Sequence, residues 1–141
     1  MLERIGLSEV REVLESAKTI AVLGVSANPE KPAHYVAQYM LESGYKILPV
    51  NASLVGTTMF NQPVKATLAE LQEPIEIVDM FRRAEFLEQH LSDILAMQPL
   101  PKLVWLQLGI HNPEFSAKLL KAGIEVVQSR CLMADHHNLR L

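Results

Sequence analysis

The sequence predicts an α/β protein: a single domain over residues 1–141, built on a five-stranded, mainly parallel sheet with helices on both faces. Three observations predict it. Short apolar runs rich in β-branched residues alternate with amphipathic segments, and each crossover helix in such an order must bury its stripe against a sheet. No repeat, low-complexity tract or linker interrupts the alternation. The length, 141 residues, is that of one domain with one real core.

The elements follow in order. A helix over residues 8–17 puts Val10, Val13, Leu14 and Ala17 on one face, with Ser8 as N-cap and Glu9 in the first turn. Strand one is Thr19 to Val25. A helix over 33–43 pairs Val36 with Met40 and Ala37 with Leu41 and stops at Gly44. "YKILPVN" is strand two. Residues 52–75 read as a loop punctuated by Gly56, Pro63 and Pro74, with a short extended piece at Val64 and one helical turn at Leu68 to Leu71. "IEIVDMF" is strand three, and residues 84–97 form a helix with Leu87, Leu91, Ile94 and Leu95 as its stripe. "KLVWLQLG" is strand four, with Trp105 as core. The next helix has the fullest punctuation: Asn112 as N-cap, Pro113 at the first helical position, Gly123 just past the end. "IEVVQSRCL" reads as strand five, and "ADHH" after it as surface tail.

Composition excludes several classes. A net charge of −3 leaves no basic footprint for nucleic acid. One cysteine rules out an internal disulfide framework. No apolar run reaches the ~20 residues of a membrane span, and "MLERIGLSEVREVLESAK" is too charged for a signal core. The expected location is cytoplasmic.

Right-handed crossovers and a reversal of strand order beside strand one would put a ligand crevice at the carboxyl ends of the strands. "TIAVLGVSANPEKPAHY" has the strand, loop and helix order of a Rossmann-type phosphate unit, with one glycine where the dinucleotide fingerprint has three. Its loop, Gly24, Val25, Ser26, Ala27 and Asn28, offers backbone N–H groups and a helix N-terminus to phosphate oxygens. Strand two ends in neutral Asn51, where nicotinamide enzymes place a carboxylate on the ribose; asparagine does not repel a phosphorylated ribose. After strand three, Phe81 is followed by Arg82 and Arg83, whose planar forks suit phosphate. Gln107 and Gly109 at the end of strand four are second-tier pocket residues.

In that order, "AVLGVSANPEKP", "YKILPVN", "VDMFRR", "VWLQLGIHN" and "SRCLMADHH" resemble the stand-alone coenzyme A (CoA) binding domain family, related to the nucleotide domain of the succinyl-CoA synthetase α subunit. The resemblance spans roughly residues 16–138. It implies a Rossmann-like CoA-binding fold with the 3′-phospho-ADP part near Gly24, Ser26, Asn28, Asn51, Phe81, Arg82 and Arg83. Two positions depart from the family's pattern: Ser129 stands where an acidic residue is usual, and Asp135 where glutamate is favoured.

No nucleophile and base pair stands out, so no catalytic residue and no metal ligand is assigned; His34, His90 and His111 read as surface or helix-packing residues. Cys131 reads as a small buried hydrophobe, with a contact to the CoA thiol as the alternative, Arg130 beside it being placed to lower the thiol pKa. The favoured function is a non-catalytic CoA or acyl-CoA binding module acting as carrier, sensor or subunit. The alternatives are an NAD(P)-binding redox sensor or small oxidoreductase, and a nucleotide-binding subunit of an acyl-CoA enzyme.

Overall fold

The computed structural model describes residues 6–139. Helix α1 (Leu7–Ser16) leads into β1 (Thr19–Leu23), α2 (Pro32–Glu42) and β2 (Lys46–Val50). A 3-10 turn (Ala52–Leu54), a hairpin of β3 (Thr58–Met59) and β4 (Gln62–Pro63), and a second 3-10 turn (Leu68–Glu70) follow. Strand β5 (Ile77–Met80) precedes a 3-10 helix (Ala84–His90) that runs into α3 (Leu91–Leu95). The chain ends with β6 (Leu103–Leu106), α4 (Pro113–Lys121), β7 (Glu125–Val127) and α5 (Leu132–Asn138).

The main sheet has the order β2-β1-β5-β6-β7, with every neighbouring pair parallel. Outside β2, Lys65 makes one parallel bridge to Val50, accepting from Asn51 N at 2.8 Å and donating to Pro49 O at 3.1 Å. The extended piece expected at Val64 is this single bridge and the hairpin before it. Phe60 and Asn61 take φ of 54° and 67° in the hairpin turn, the double left-handed conformation of a two-residue hairpin loop. Phenylalanine is a poor signal for that conformation, so the sequence does not announce the turn.

Alternation along the strands divides the core. Ile20, Val22, Ile47, Ile77, Leu103 and Trp105 pack under Val10 and Leu14 of α1, Val36 and Met40 of α2 and Leu132 of α5. Ala21, Leu23, Val78, Met80, Val104 and Leu106 pack against Leu87, Ile94, Phe115 and Leu119 on the other face. Among the described residues no helix is long and apolar enough to cross a membrane.

Several local expectations are corrected. The N-cap of α1 is Gly6, whose N–H donates to Glu9 Oε1 at 2.9 Å; Ser8 lies inside the helix. A carboxylate three residues into the helix satisfies that orphan donor without a capping side chain. Strand one ends at Leu23, because Gly24 turns the chain at φ 89°. The helix over 84–97 is split into a 3-10 part and a short α part. Strand five stops at Val127, Ser129 takes φ 54°, and the stretch read as tail is α5, with Asp135 and His136 buried.

Asp79 is the unexpected residue of the sheet: it is fully buried on β5 beside Val22 and Trp105, and neither carboxylate oxygen has a hydrogen-bond partner. Burial holds its carboxyl well above the usual carboxylate range, because the buried site disfavours the charged form. Because the folded pKa lies above the unfolded one, this group's contribution to stability is complete below about pH 4, the unfolded value, and is lost as pH rises towards the folded pKa. Asp79→Asn is therefore expected to melt close to the wild type at pH 4 and above it at pH 7. A difference in melting temperature that does not change between the two pH values would show that Asp79 does not titrate in this way.

Candidate functional site

The strand order reverses at β1. Helix α2, which follows β1, packs on the Val22 face, whereas the segment that follows β5 packs through Leu87 on the opposite face. In sheets of this topology, connections leaving to opposite sides put the ligand crevice above the carboxyl ends of the two strands, here β1 and β5.

Gly24 forms its floor. Gly24 N donates to Val50 O at 2.8 Å, Phe81 N donates to Leu23 O at 2.9 Å, and a Cβ built on Gly24 would stand 2.3 Å from the Phe81 carbonyl oxygen. The glycine is thus demanded by the close approach of β1 and β5 within the protein itself. Val25 is buried, and its carbonyl accepts from Asn51 Nδ2 at 2.7 Å; Asn51 Oδ1 accepts from Ser53 N at 2.8 Å. The amide N–H of Asn51 therefore ties the end of β2 to the first loop, while its oxygen caps the 3-10 turn that follows.

Within that loop, Ser26 Oγ accepts from Asn28 N at 3.1 Å and Asn28 Oδ1 accepts from Glu30 N at 3.0 Å. His34, in the first turn of α2, lies 2.7 Å from the Ser26 carbonyl through Nδ1, with its ring against Phe60. The side chains of Ser26 and Asn28 are thus engaged in shaping the loop. What the loop presents is backbone: the N–H groups of Ala27 and of Ala33, in the first turn of α2, have no hydrogen-bond partner among the described residues.

On the other wall, Arg82 is half-buried and Arg83 exposed. Their guanidinium carbons lie 5.0 Å and 5.6 Å from the centroid of the Phe86 ring. Arg82 Nε donates to His90 Nε2 at 3.2 Å, while Arg83 pairs with Glu85 at 3.3 Å. Burial, and then the neighbouring Arg82 charge, push the His90 imidazole below its ordinary pKa. Phe86 escapes sequence reasoning, and His90 reads there only as a surface or helix-packing residue; both lie in the 3-10 helix that begins just after the arginines.

The remaining candidates fall further along the sheet edge. Gln107 is buried and its Oε1 accepts from Leu132 N at 3.1 Å, so it braces the start of α5. Gly109 is exposed, and its N–H donates to Ser129 Oγ at 3.0 Å. Trp105 is core as expected and donates through Nε1 to Arg130 O at 2.7 Å. Cys131 is half-buried at the N-cap of α5. Arg130 does not serve it: the guanidinium is committed to the two Asp135 oxygens, at 2.5 Å and 2.9 Å. His136 Nδ1 lies 2.9 Å from Tyr39 Oη, and burial lowers the pKa of its ring. The "ADHH" stretch therefore fastens α5 to the turn before it and to α2.

Backbone N–H groups at a helix start and two arginines after the neighbouring strand β5 are donors of the kind that suit an anionic nucleotide; the amide of Asn51, after β2 on the other side of β1, is engaged by Val25 and Ser53. The chain is 32% identical over 129 residues to the uncharacterized protein YneT of Bacillus subtilis (strain 168), covering 92% of this chain and 93% of that protein. A Thermus thermophilus protein, cell-free ID.343, superposes with a TM-score of 0.92 at 47% identity over 96% of this chain and 99% of its own. A hypothetical protein from Pyrococcus horikoshii OT3 superposes with a TM-score of 0.88 at 29% identity over the full length of both. The family model described as a CoA binding domain matches residues 18–137, and the chain therefore belongs to the CoA-binding domain family.

Proposed function

We propose that the protein is a cytoplasmic, non-catalytic module that binds CoA or an acyl-CoA, serving as carrier, sensor or subunit without partners among nucleic acids or membranes. What supports the reading is that unpartnered backbone N–H groups at Ala27 and Ala33, after β1, and the Arg82–Phe86–Arg83 cluster, after β5, follow the carboxyl ends of two adjacent parallel strands. In this reading Gly24, Val25, Ser26, Ala27 and Asn28 form a phosphate-binding loop that meets the pyrophosphate through backbone. Asn51 and Phe81 frame the crevice floor, and Arg82 and Arg83 hold phosphate charge. Gly109 lies along the exposed edge towards Cys131, the candidate contact for the pantetheine thiol, while Gln107 supports that edge from beneath. CoA, when bound, supplies the thiol and any acyl group; the chain's own part is to bind and orient it.

Thermal denaturation tests this directly. At about 100 times its dissociation constant a ligand adds roughly 2.7 kcal/mol, and each kcal/mol raises the melting temperature of a domain of this size by about 2 to 4 °C. CoA is expected to give that rise and NAD none. An equal or larger rise with NAD would favour the redox-sensor reading instead.

A further inference from the structure

We infer that His90 is a positioning residue of the phosphate site: its neutral imidazole accepts the Arg82 Nε–H, holding the guanidinium against Phe86 with both Nη groups left for a phosphate. This deepens the CoA-binding reading and rests on it. The geometry has three parts. His90 Nε2 is the acceptor for Arg82 Nε at 3.2 Å, and the Gln89 Nε2 amide lies 3.3 Å from the same atom. The guanidinium carbon of Arg82 stands 5.0 Å from the centre of the Phe86 ring, within cation–π range. No other hydrogen bond or ion pair engages Arg82 among the described residues, whereas Arg83 is occupied by Glu85. Two restraints, one at Nε and one on the guanidinium face, remove rotamer freedom that an exposed arginine would have to surrender on binding.

An imidazole can accept only while neutral, and its surroundings keep it so. Burial and Arg82 both lower the pKa, outweighing Asp93, which raises it. The next charged pair, Glu88 with Lys118 of α4, is closed on itself at 2.8 Å. With Nε2 accepting, the proton resides on Nδ1.

The expected results separate this role from mere packing. His90→Leu should weaken CoA binding about fivefold, the worth of one ordinary hydrogen bond, and His90→Gln, which restores an acceptor, should recover most of it. In an Arg82→Ala background, His90→Leu should have no further effect. By NMR on the ligand-free protein, the Arg82 Nε–H resonance should shift as His90 titrates. Wild-type affinity in His90→Leu, equal weakening in the Leu and Gln variants, or an Arg82 resonance indifferent to that titration overturns the assignment while leaving CoA binding intact. A wild-type protein that does not bind CoA at all overturns the reading beneath it.

Discussion

Gly24→Val is expected to lower the melting temperature by on the order of 10 °C, the largest stability loss of any single change at the site. The added Cβ meets the Phe81 carbonyl oxygen at 2.3 Å, and the residue is held at φ 89°. An L-residue in that conformation costs about 1–2 kcal/mol, and overpacking against backbone adds about 1–3 kcal/mol. At about 2 to 4 °C per kcal/mol the sum gives the stated drop. Gly44→Ala is the control: at φ 104° with nothing within 4 Å it carries the conformational cost alone. Equal melting temperatures for the two variants would remove the β1–β5 contact as the cause. The same geometry revises the meaning of the glycine. The sequence reads Gly24 as part of a phosphate loop; in the structure a bulky residue there collides with the Phe81 carbonyl of the protein itself.

Removing both arginines is expected to weaken CoA binding at least about 100-fold. Each charge-assisted hydrogen bond to phosphate is worth about 1.5–3 kcal/mol, and two exceed the ~2.7 kcal/mol that corresponds to that factor. The Arg82→Ala/Arg83→Ala double variant should also lose much of the salt dependence of binding. The Arg83→Ala single variant should melt close to the wild type, since Arg83 is exposed and its ion pair with Glu85 is a surface pair. Of the single variants, Arg82→Ala should account for most of the loss, because Arg82 is braced by His90 while a phosphate must compete with Glu85 for Arg83. Isothermal calorimetry at two salt concentrations measures both effects. CoA affinity unchanged in the double variant would take the arginines out of the site.

Much of this protein was legible in its residues. The alternation of apolar strands with amphipathic helices determined the parallel sheet, and the caps at Asn112 and Gly123 marked α4 correctly. Those signals are local: a period of two or of 3.6, a capping side chain or a glycine turn acts within a few residues of itself. The tertiary structure alone decided what each marked residue touches. Asn51 reaches the first loop 26 residues away, Gln107 the start of α5 25 residues away, and Tyr39 meets His136 across 97 residues. Asp79, unremarkable in "IEIVDMF", became a buried acid without a partner only because β1 and β6 flank β5. "ADHH" passed for tail because two histidines and an aspartate look solvated until Tyr39 and Arg130 are brought to them. Periodicity decides which face of an element is apolar; only the packing of distant segments decides where a polar group finds its partner, and burial makes that partner a condition of stability.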